Sequence, residues 1–345
     1  MATIKADELK AFAAAILDVA GFGAEQAYEM ADLLVWANLR GIDSHGVLRI
    51  PRYIEMLQGG SVSADAEIAD VRRFGAVCVL DAGKAPGATA MNRAAKEAAA
   101  LAASFGLGWC GVRRTSHAGA IGYFVQQVTK QGMVGIAMTA SKPLMGYFGA
   151  KGEVLSTNPL AIGVPLPDGR APLILDMSTA AVALGKIMAA KDADKSIPVG
   201  WGVDADGADT TDPHKVAAVL PMAGAKGSGL SLMIEVLCSL LVRNANIAPA
   251  LTGGKGGGFN GMVLAVDPAA FGDRGEFLAQ VADLARAIHA QEPSAGVDKV
   301  MLPGERGHET ERARLEEGVP LAAGTVKRLV EVALKLGIKP PEALL

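Results

Sequence analysis

Residues 160–165 and 172–176 are two short apolar, β-like runs joined through Pro167-Asp168-Gly169, a tight-turn sequence. A turn that short joins antiparallel neighbours, whereas a doubly wound parallel sheet needs a crossover between successive strands. Apolar residues recur at helical spacing over about 6–20, 24–39, 90–105, 119–131, 178–190, 227–242, 275–290 and 324–336. Further β-like runs lie at 76–81, 107–113, 133–140 and 262–267. Two helices precede any strand, so the spacing predicts a mixed α/β (α+β) chain whose sheet is not purely parallel. Residues 196–215, with four aspartates, Pro198 and Pro213, read as a surface excursion that could serve as a lid.

The 42 glycines cluster between the periodic segments, which means many tight turns in an ordered chain. With 33 Lys and Arg against 36 Asp and Glu the formal charge is −3, and no run of like charges offers a nucleic-acid surface or a polybasic membrane anchor. Small molecules are the expected partners. Cys78, Cys110 and Cys238 are isolated within apolar stretches and read as reduced core residues. The N-terminal segment lacks the continuous apolar run of an export signal, and residues 230–242 are too short, and carry Glu235, for a membrane span. A cytoplasmic protein is the expectation.

Two windows match GxGxxG by count, Gly106/Gly108/Gly111 and Gly256/Gly258/Gly261. Each leads into a strand, whereas a dinucleotide loop must follow a strand and open a helix whose N-terminus faces the pyrophosphate. Neither is expected to act as such a loop. Gly224 to Gly229 (GAKGSG) opens the apolar helical segment with Lys226 beside free backbone N–H groups. That arrangement either holds a phosphate or lets a buried helix pack closely.

Among five histidines, His214, His289 and His308 stand among polar residues and read as surface groups. His117 lies between a predicted strand and a predicted helix, where an imidazole is either an acid/base group or a hydrogen-bonded structural residue. From His45, Arg49 and Tyr53 recur at i+4 and i+8, one helical face provided Pro51 sits in a first turn or a kink. An arginine there suits a substrate carboxylate, which its planar fork grips with two bonds. No metal-ligand spacing and no GxSxG elbow occur, so acid/base groups and a cofactor must carry any chemistry.

Taken together, seven segments resemble the malate/L-lactate dehydrogenase family of the second type, distinct from the Rossmann-fold lactate and malate dehydrogenases. They are RGIDSHGVLRIPRY (40–53), SHAGAIGY (116–123), 149–165 ending in STNPLAIGVP, LDMSTAAVALGKI (175–187), IPVGWGVDADGADTTDP (197–213), LPMAGAKGSGL (220–230) and LPGE (302–305). They run in family order across nearly the whole chain. The resemblance implies a homodimer with a non-Rossmann NAD(P)-binding domain built on a mixed, largely antiparallel sheet, and a helical substrate and dimerisation domain. The expected division is 1–115 for the helical part, 116–260 for the NAD(P) domain and 261–345 returning to the first part.

The same resemblance implies His117 as the acid/base, and Ser44, His45, Arg49, Tyr53, Thr157 and Asn158 around the substrate. NAD or NADP would be held by Ser141, Asp176, Met177, Ser178, Lys226, Gly227, Gly304, Glu305 and Arg306. The implied reaction moves a hydride between the nicotinamide and the 2-carbon of a small 2-hydroxy or 2-oxo acid. Reduction of cyclic imino acids at C=N, as in the family's piperideine-carboxylate reductases, is the second reading, and a non-catalytic ligand-binding paralogue is the third. Three positions depart from the family pattern. Lys142 meets a second substrate carboxylate or a cofactor phosphate, or is a solvated lysine. Ser228 replaces an aromatic residue, and Leu184 replaces a frequent arginine, which leaves NAD against NADP open.

Overall fold

Seven strands make the central sheet of the computed structural model, which describes residues 2–345. In chain order the strands are β1 (Ala2–Ile4), β2 (Ala69–Phe74), β3 (Val77–Asp81), β4 (Leu107–Thr115), β5 (Val134–Ala140), β6 (Leu160–Val164), β7 (Leu173–Met177), β8 (Gly202–Val203), β9 (Ala218–Val219), β10 (Phe259–Val266) and β11 (Val319–Leu321). The α-helices are α1 (Ala6–Leu17), α2 (Ala24–Leu39), α3 (Ile50–Gln58), α4 (Gly87–Phe105), α5 (Gly122–Thr129), α6 (Leu184–Asp192), α7 (Ala225–Glu235), α8 (Ile247–Leu251), α9 (Arg274–His289), α10 (Glu305–Glu317) and α11 (Ala323–Lys335).

The sheet order is β2-β3-β4-β10-β5-β6-β7, with β3 and β4 parallel and every other neighbouring pair antiparallel. β6 and β7 form the hairpin expected from Pro167-Asp168-Gly169, and Asp168 and Gly169 both take positive φ there, 58° and 66°. β1 with β11 and β8 with β9 make two small antiparallel ribbons. The sheet draws strands from residues 69–115, 134–177 and 259–266, so all three expected segments contribute to it.

All eight expected helices are present, with shifted ends that have local causes. α5 starts at Gly122 and not near 119, because Gly119 sits at φ 72° and keeps residues 116–121 in a loop. α6 starts at Leu184 and not near 178, because the Thr179 and Ala181 N–H groups donate to Thr157 O and Leu220 O in place of a helical ladder. Three helices, α3, α8 and α10, lie outside the eight expected segments. α3 carries Pro51 in its first turn, and α10 (ERGHETERARLEE) has almost no apolar residue from which periodicity could be read. Every residue of the edge strand β2 is exposed, which erases the alternation that marks a half-buried strand. The 196–215 segment contains β8, tied to β9.

Small residues let the helices sit close on the sheet. α4 buries Ala90, Ala94, Ala98 and Ala102, and at Gly108 of β4 an added Cβ would collide with the Ala98 carbonyl. Register then sets the cleft. Thr115 pairs with Phe259, Asn260 with Ala140, Met138 with Leu160, and Leu160 with Met177. The ends of β4, β5 and β7 and the starts of β6 and β10 thus share one edge of the sheet, and the loops leaving that edge carry the site.

Gly87, the first residue of α4, fixes how that edge meets the helix: its N–H donates to Ser116 Oγ at 2.8 Å, and a Cβ would strike the carbonyl oxygens of Ser116 and His117. Replacing Gly87 with Ala is expected to cost about 1–3 kcal/mol of unfolding free energy through overpacking. Urea denaturation measures this, and a midpoint equal to that of the unsubstituted protein would refute the close approach.

Candidate active site

A cleft of about 820 Å³ opens at that sheet edge, a size suited to an organic ligand. His117, in the loop between β4 and α5, lies on its wall. The ring is held from several sides. Nδ1 lies 2.9 Å from the Tyr53 hydroxyl and accepts from the Gly119 N–H at 3.3 Å. The His45 ring stacks on it at 5.6 Å between centroids with planes 20° apart, and the Phe259 ring meets it edge-on at 6.0 Å. No hydrogen bond from the described residues reaches Nε2.

His45 and Arg49 come from two 3-10 turns, Asp43–His45 and Val47–Arg49, separated by extended Gly46. Asn38 ties these turns down: its Oδ1 accepts from the Val47 N–H at 2.8 Å and its Nδ2 donates to Asp43 Oδ1 at 2.7 Å. Arg314 of α10 pairs with the same Asp43 at 2.8 Å. Ser44 Oγ lies 2.9 Å from His45 Nδ1, and Arg49 Nε donates to the Ser44 carbonyl at 2.8 Å, which leaves the terminal guanidinium nitrogens of Arg49 for a ligand.

Across the cleft Asp176 leaves β7 with Met177 and Ser178, and its Oδ2 accepts from the Gly122 N–H at 2.8 Å. Burial pushes this carboxyl up to about 6 against the opposing pull of that N–H and of Arg40. Arg40, itself buried, donates to Glu311 at 3.1 Å, to His308 Nδ1 at 2.7 Å and to the Gly304 carbonyl at 3.1 Å, and lies over the Trp36 ring. These bonds fix the start of α10 at the cleft. Gly304 caps that helix at φ 92°, and Arg306 and Gly307 of its first turn line the cleft, where free N–H groups and a guanidinium favour a phosphate.

The structure brings most of the expected site residues to this cleft: Ser44, His45, Arg49, His117, Ser141, Thr157, Asp176, Met177, Ser178, Gly304 and Arg306 line it. Ser141 and Ser156 share a hydrogen bond at 2.7 Å, and Ser178 Oγ donates to the Thr157 carbonyl at 3.1 Å. Six others lie elsewhere. Tyr53 is buried behind His117, on its Nδ1 side. Asn158 is fully buried and donates to the Ser231 carbonyl at 2.9 Å, with its Oδ1 left without a partner among the described residues. Lys142 is exposed, and Glu305 accepts from the Leu302 N–H at 2.7 Å and pairs with His289 on the wall of a second cavity. Lys226 is exposed on the first turn of α7, and Gly227 packs against Met222. Sequence reasoning missed Arg40, Trp36 and Phe259. Arg40 opens the RGIDSHG segment, and Phe259 stands inside the second glycine window, whose spacing points only to a phosphate loop.

Burial, with the nearby charges of His45 and Arg49, lowers His117 to about 3; burial and Arg49 lower His45 to about 4. Both rings are neutral at pH 7. Between these values and the ordinary 6.5 the unfolded chain binds two protons that the folded chain does not, so this contribution to stability is complete above about pH 6.5 and is lost as the pH falls. Asp176 works in the opposite sense, because its raised carboxyl holds a proton in the folded chain between about 3.8 and 6. Near pH 5 the three groups together leave the unfolded chain about one proton ahead. Replacing His117 with Gln is expected to reduce the acid-side slope of unfolding free energy by about one proton, measured by urea unfolding from pH 4 to 7. Superimposable slopes in the two proteins would show that the ring is not held neutral by the fold.

Comparison with known proteins gives the family. A family model described as malate/L-lactate dehydrogenase matches residues 4–330. The malate/(S)-sulfolactate dehydrogenase of Methanothermus fervidus is 33% identical over 345 residues, covering 97% of this chain and 98% of its own. The ureidoglycolate dehydrogenase (NAD(+)) of Escherichia coli O157:H7 is 34% identical over 321 residues, 91% of each chain. Among solved structures, sulfolactate dehydrogenase from Methanocaldococcus jannaschii superposes with a TM-score of 0.89 at 32% identity, covering 98% of both chains. The chain belongs to the malate/L-lactate dehydrogenase family.

Proposed function

We propose that this protein is an NAD(P)-dependent oxidoreductase interconverting a small 2-hydroxy acid and its 2-oxo acid, with His117 as the acid/base. The observation that carries this reading is that His117, whose Nε2 has no hydrogen-bond partner among the described residues, lines one cleft with Arg49, whose terminal guanidinium nitrogens have none among them either. The cleft fits a dinucleotide on its own chemistry: the first turn of α10 with Arg306 and Gly307 suits a phosphate, and the hydroxyls of Ser141 and Ser178 with the Asp176 carboxyl suit ribose and amide groups. When bound, the nicotinamide ring supplies or accepts the hydride at the substrate's 2-carbon.

Arg49 holds the substrate carboxylate with its two terminal nitrogens, which fixes the neighbouring 2-carbon and its oxygen relative to His117. Nε2 of His117 then takes the proton of the 2-hydroxyl in oxidation and returns it to the oxygen in reduction. The free ring is a weak base partly because Arg49 is positively charged beside it. A carboxylate seated on Arg49 cancels that charge, so substrate binding itself raises the proton affinity of the ring that must receive the proton. His45, stacked on His117 and held by Ser44, shields one face of the ring from water.

The proposed assembly is a homodimer. From Gly227 to Val242 the only charged residue is Glu235, and it is buried, whereas Met233, Leu240 and Leu241 on the outer face are exposed. A helix apolar on every side is a buried helix, and a second copy of the chain would cover this one.

His117→Ala is expected to lower turnover by at least about a hundredfold while dinucleotide affinity, read by thermal shift with NADH and NADPH, stays the same. Arg49→Lys is expected to raise KM about tenfold or more with a smaller change in kcat, because a point charge replaces a two-bond clamp. Both are assayed at the nicotinamide absorbance band against oxaloacetate, pyruvate, the corresponding hydroxy acids and cyclic imino acids. Turnover confined to cyclic imines would overturn the oxo-acid reading, and unchanged kcat in the His117 variant would remove it from the acid/base role.

A further inference from the structure

We propose that Tyr53 acts through His117 by deciding which ring nitrogen carries the proton, and so is a positioning residue that does not touch substrate. The inference rests on the acid/base role given to His117 above. Tyr53 is carried by α3, is buried, is not among the residues lining the cleft, and places its hydroxyl 2.9 Å from Nδ1.

An imidazole that cycles protons at Nε2 keeps a hydrogen on Nδ1 throughout. As a base it is Nδ1–H with a lone pair on Nε2, and after accepting the substrate proton it carries hydrogen on both nitrogens. Nδ1–H therefore needs an acceptor. The Gly119 N–H, 3.3 Å from Nδ1, can only donate, and it favours the opposite tautomer, with the hydrogen on Nε2 and no lone pair for the substrate proton. Among the described residues the Tyr53 oxygen is the one group at Nδ1 able to accept. A hydroxyl rotates between donor and acceptor, so Tyr53 can meet the ring in either tautomer.

The balance of the step is simple. In oxidation the 2-hydroxyl proton passes to Nε2, and the carbon-bound hydride is what a bound oxidised nicotinamide would accept; the Nδ1 hydrogen stays in place, shared with the Tyr53 oxygen, and Tyr53 remains a neutral phenol. Burial, which pushes the Tyr53 phenol above its ordinary range, keeps it so. Without the hydroxyl the ring rests in the unproductive tautomer, and a doubly protonated ring faces only the Gly119 N–H.

Tyr53→Phe tests this. With malate, or the panel acid that turns over fastest, kcat is expected to fall at least about tenfold while KM and dinucleotide affinity stay within about twofold. The limb of the pH profile that belongs to His117 is expected to move to lower pH, because the protonated ring has lost its acceptor. A role in packing alone would lower the melting temperature and leave that limb in place, and an unmoved limb with unchanged kcat overturns the proposal. A second measurement needs neither turnover nor the variant: in protein labelled with 15N-histidine at pH 7, the His117 signals, assigned by their loss in His117→Ala, are expected to show a population with hydrogen on Nδ1. Hydrogen found only on Nε2 overturns it. The acid/base reading fails separately, through a His117→Ala protein that still turns over.

Discussion

β10 runs between β4 and β5, antiparallel to both, and the cleft depends on that insertion. Its pairing with β4 sets Phe259 opposite Thr115, two residues before His117, and its pairing with β5 sets Asn260 opposite Ala140, next to Ser141. A one-residue slip would turn the side chains of β10 to the opposite face and remove Phe259 from the His117 ring. Buried amides resist that slip. Asn260 Oδ1 accepts from the Arg114 N–H at 3.2 Å and from Asn244 Nδ2 at 2.7 Å, while its Nδ2 donates to Ser239 Oγ at 3.0 Å, and Ser239 in turn donates to Glu235. Leaving any of these groups unpaired in the core would cost about 1–3 kcal/mol, so the network specifies one register.

The second constraint is electrostatic. Two rings and a carboxyl line a cleft whose burial disfavours charge on each of them, and burial lowers Arg40 in the same way. Arg40 retains its charge through Glu311, and its bonds to His308 and Gly304 make it a rivet between α2 and α10. Among the described residues Arg49 has no carboxylate partner and bonds to one backbone carbonyl, that of Ser44. A guanidinium left without an anion in a partly buried site is a demand for one, which an acid substrate would meet. In the proposed reading the same arginine suppresses the basicity of His117 until the substrate arrives, which joins recognition to proton transfer through one charge.

Much of this was legible in the sequence, and what was not has physical causes. The Pro-Asp-Gly hairpin and the eight helical segments announced a mixed sheet because turn chemistry and amphipathic spacing are local properties. α10 was invisible because ion pairs along its length, with Arg314 on Asp43 and Glu311 on Arg40, hold it in place, and not an apolar stripe. β2 was invisible because both of its faces meet solvent. Arg40 and Phe259 were missed for a different reason: their roles come from contacts across 264 or more residues in one case and from strand register in the other, and neither leaves a mark in local spacing.

The stretch from His45 to Tyr53 shows how a correct spacing can mislead about geometry. Steps of four suggest one helical face and hence one shared task, but the backbone is extended at Gly46, where an added Cβ would overlap the Asn38 side chain. The chain must therefore pass Asn38 as glycine before it can turn again, and α3 begins only at Ile50 with Pro51 in its first turn. The break rotates the later residues away from the earlier ones. His45 and Arg49 stay at the cleft, while Tyr53, one helical turn further on, reaches His117 from behind. In the proposed reading, a motif that looks like a single binding face is divided across the ring it serves, with carboxylate recognition on one side and control of the proton on the other. The break at Gly46 is what allows that division, and in the same reading it accounts for a buried phenol in a segment whose other members bind substrate.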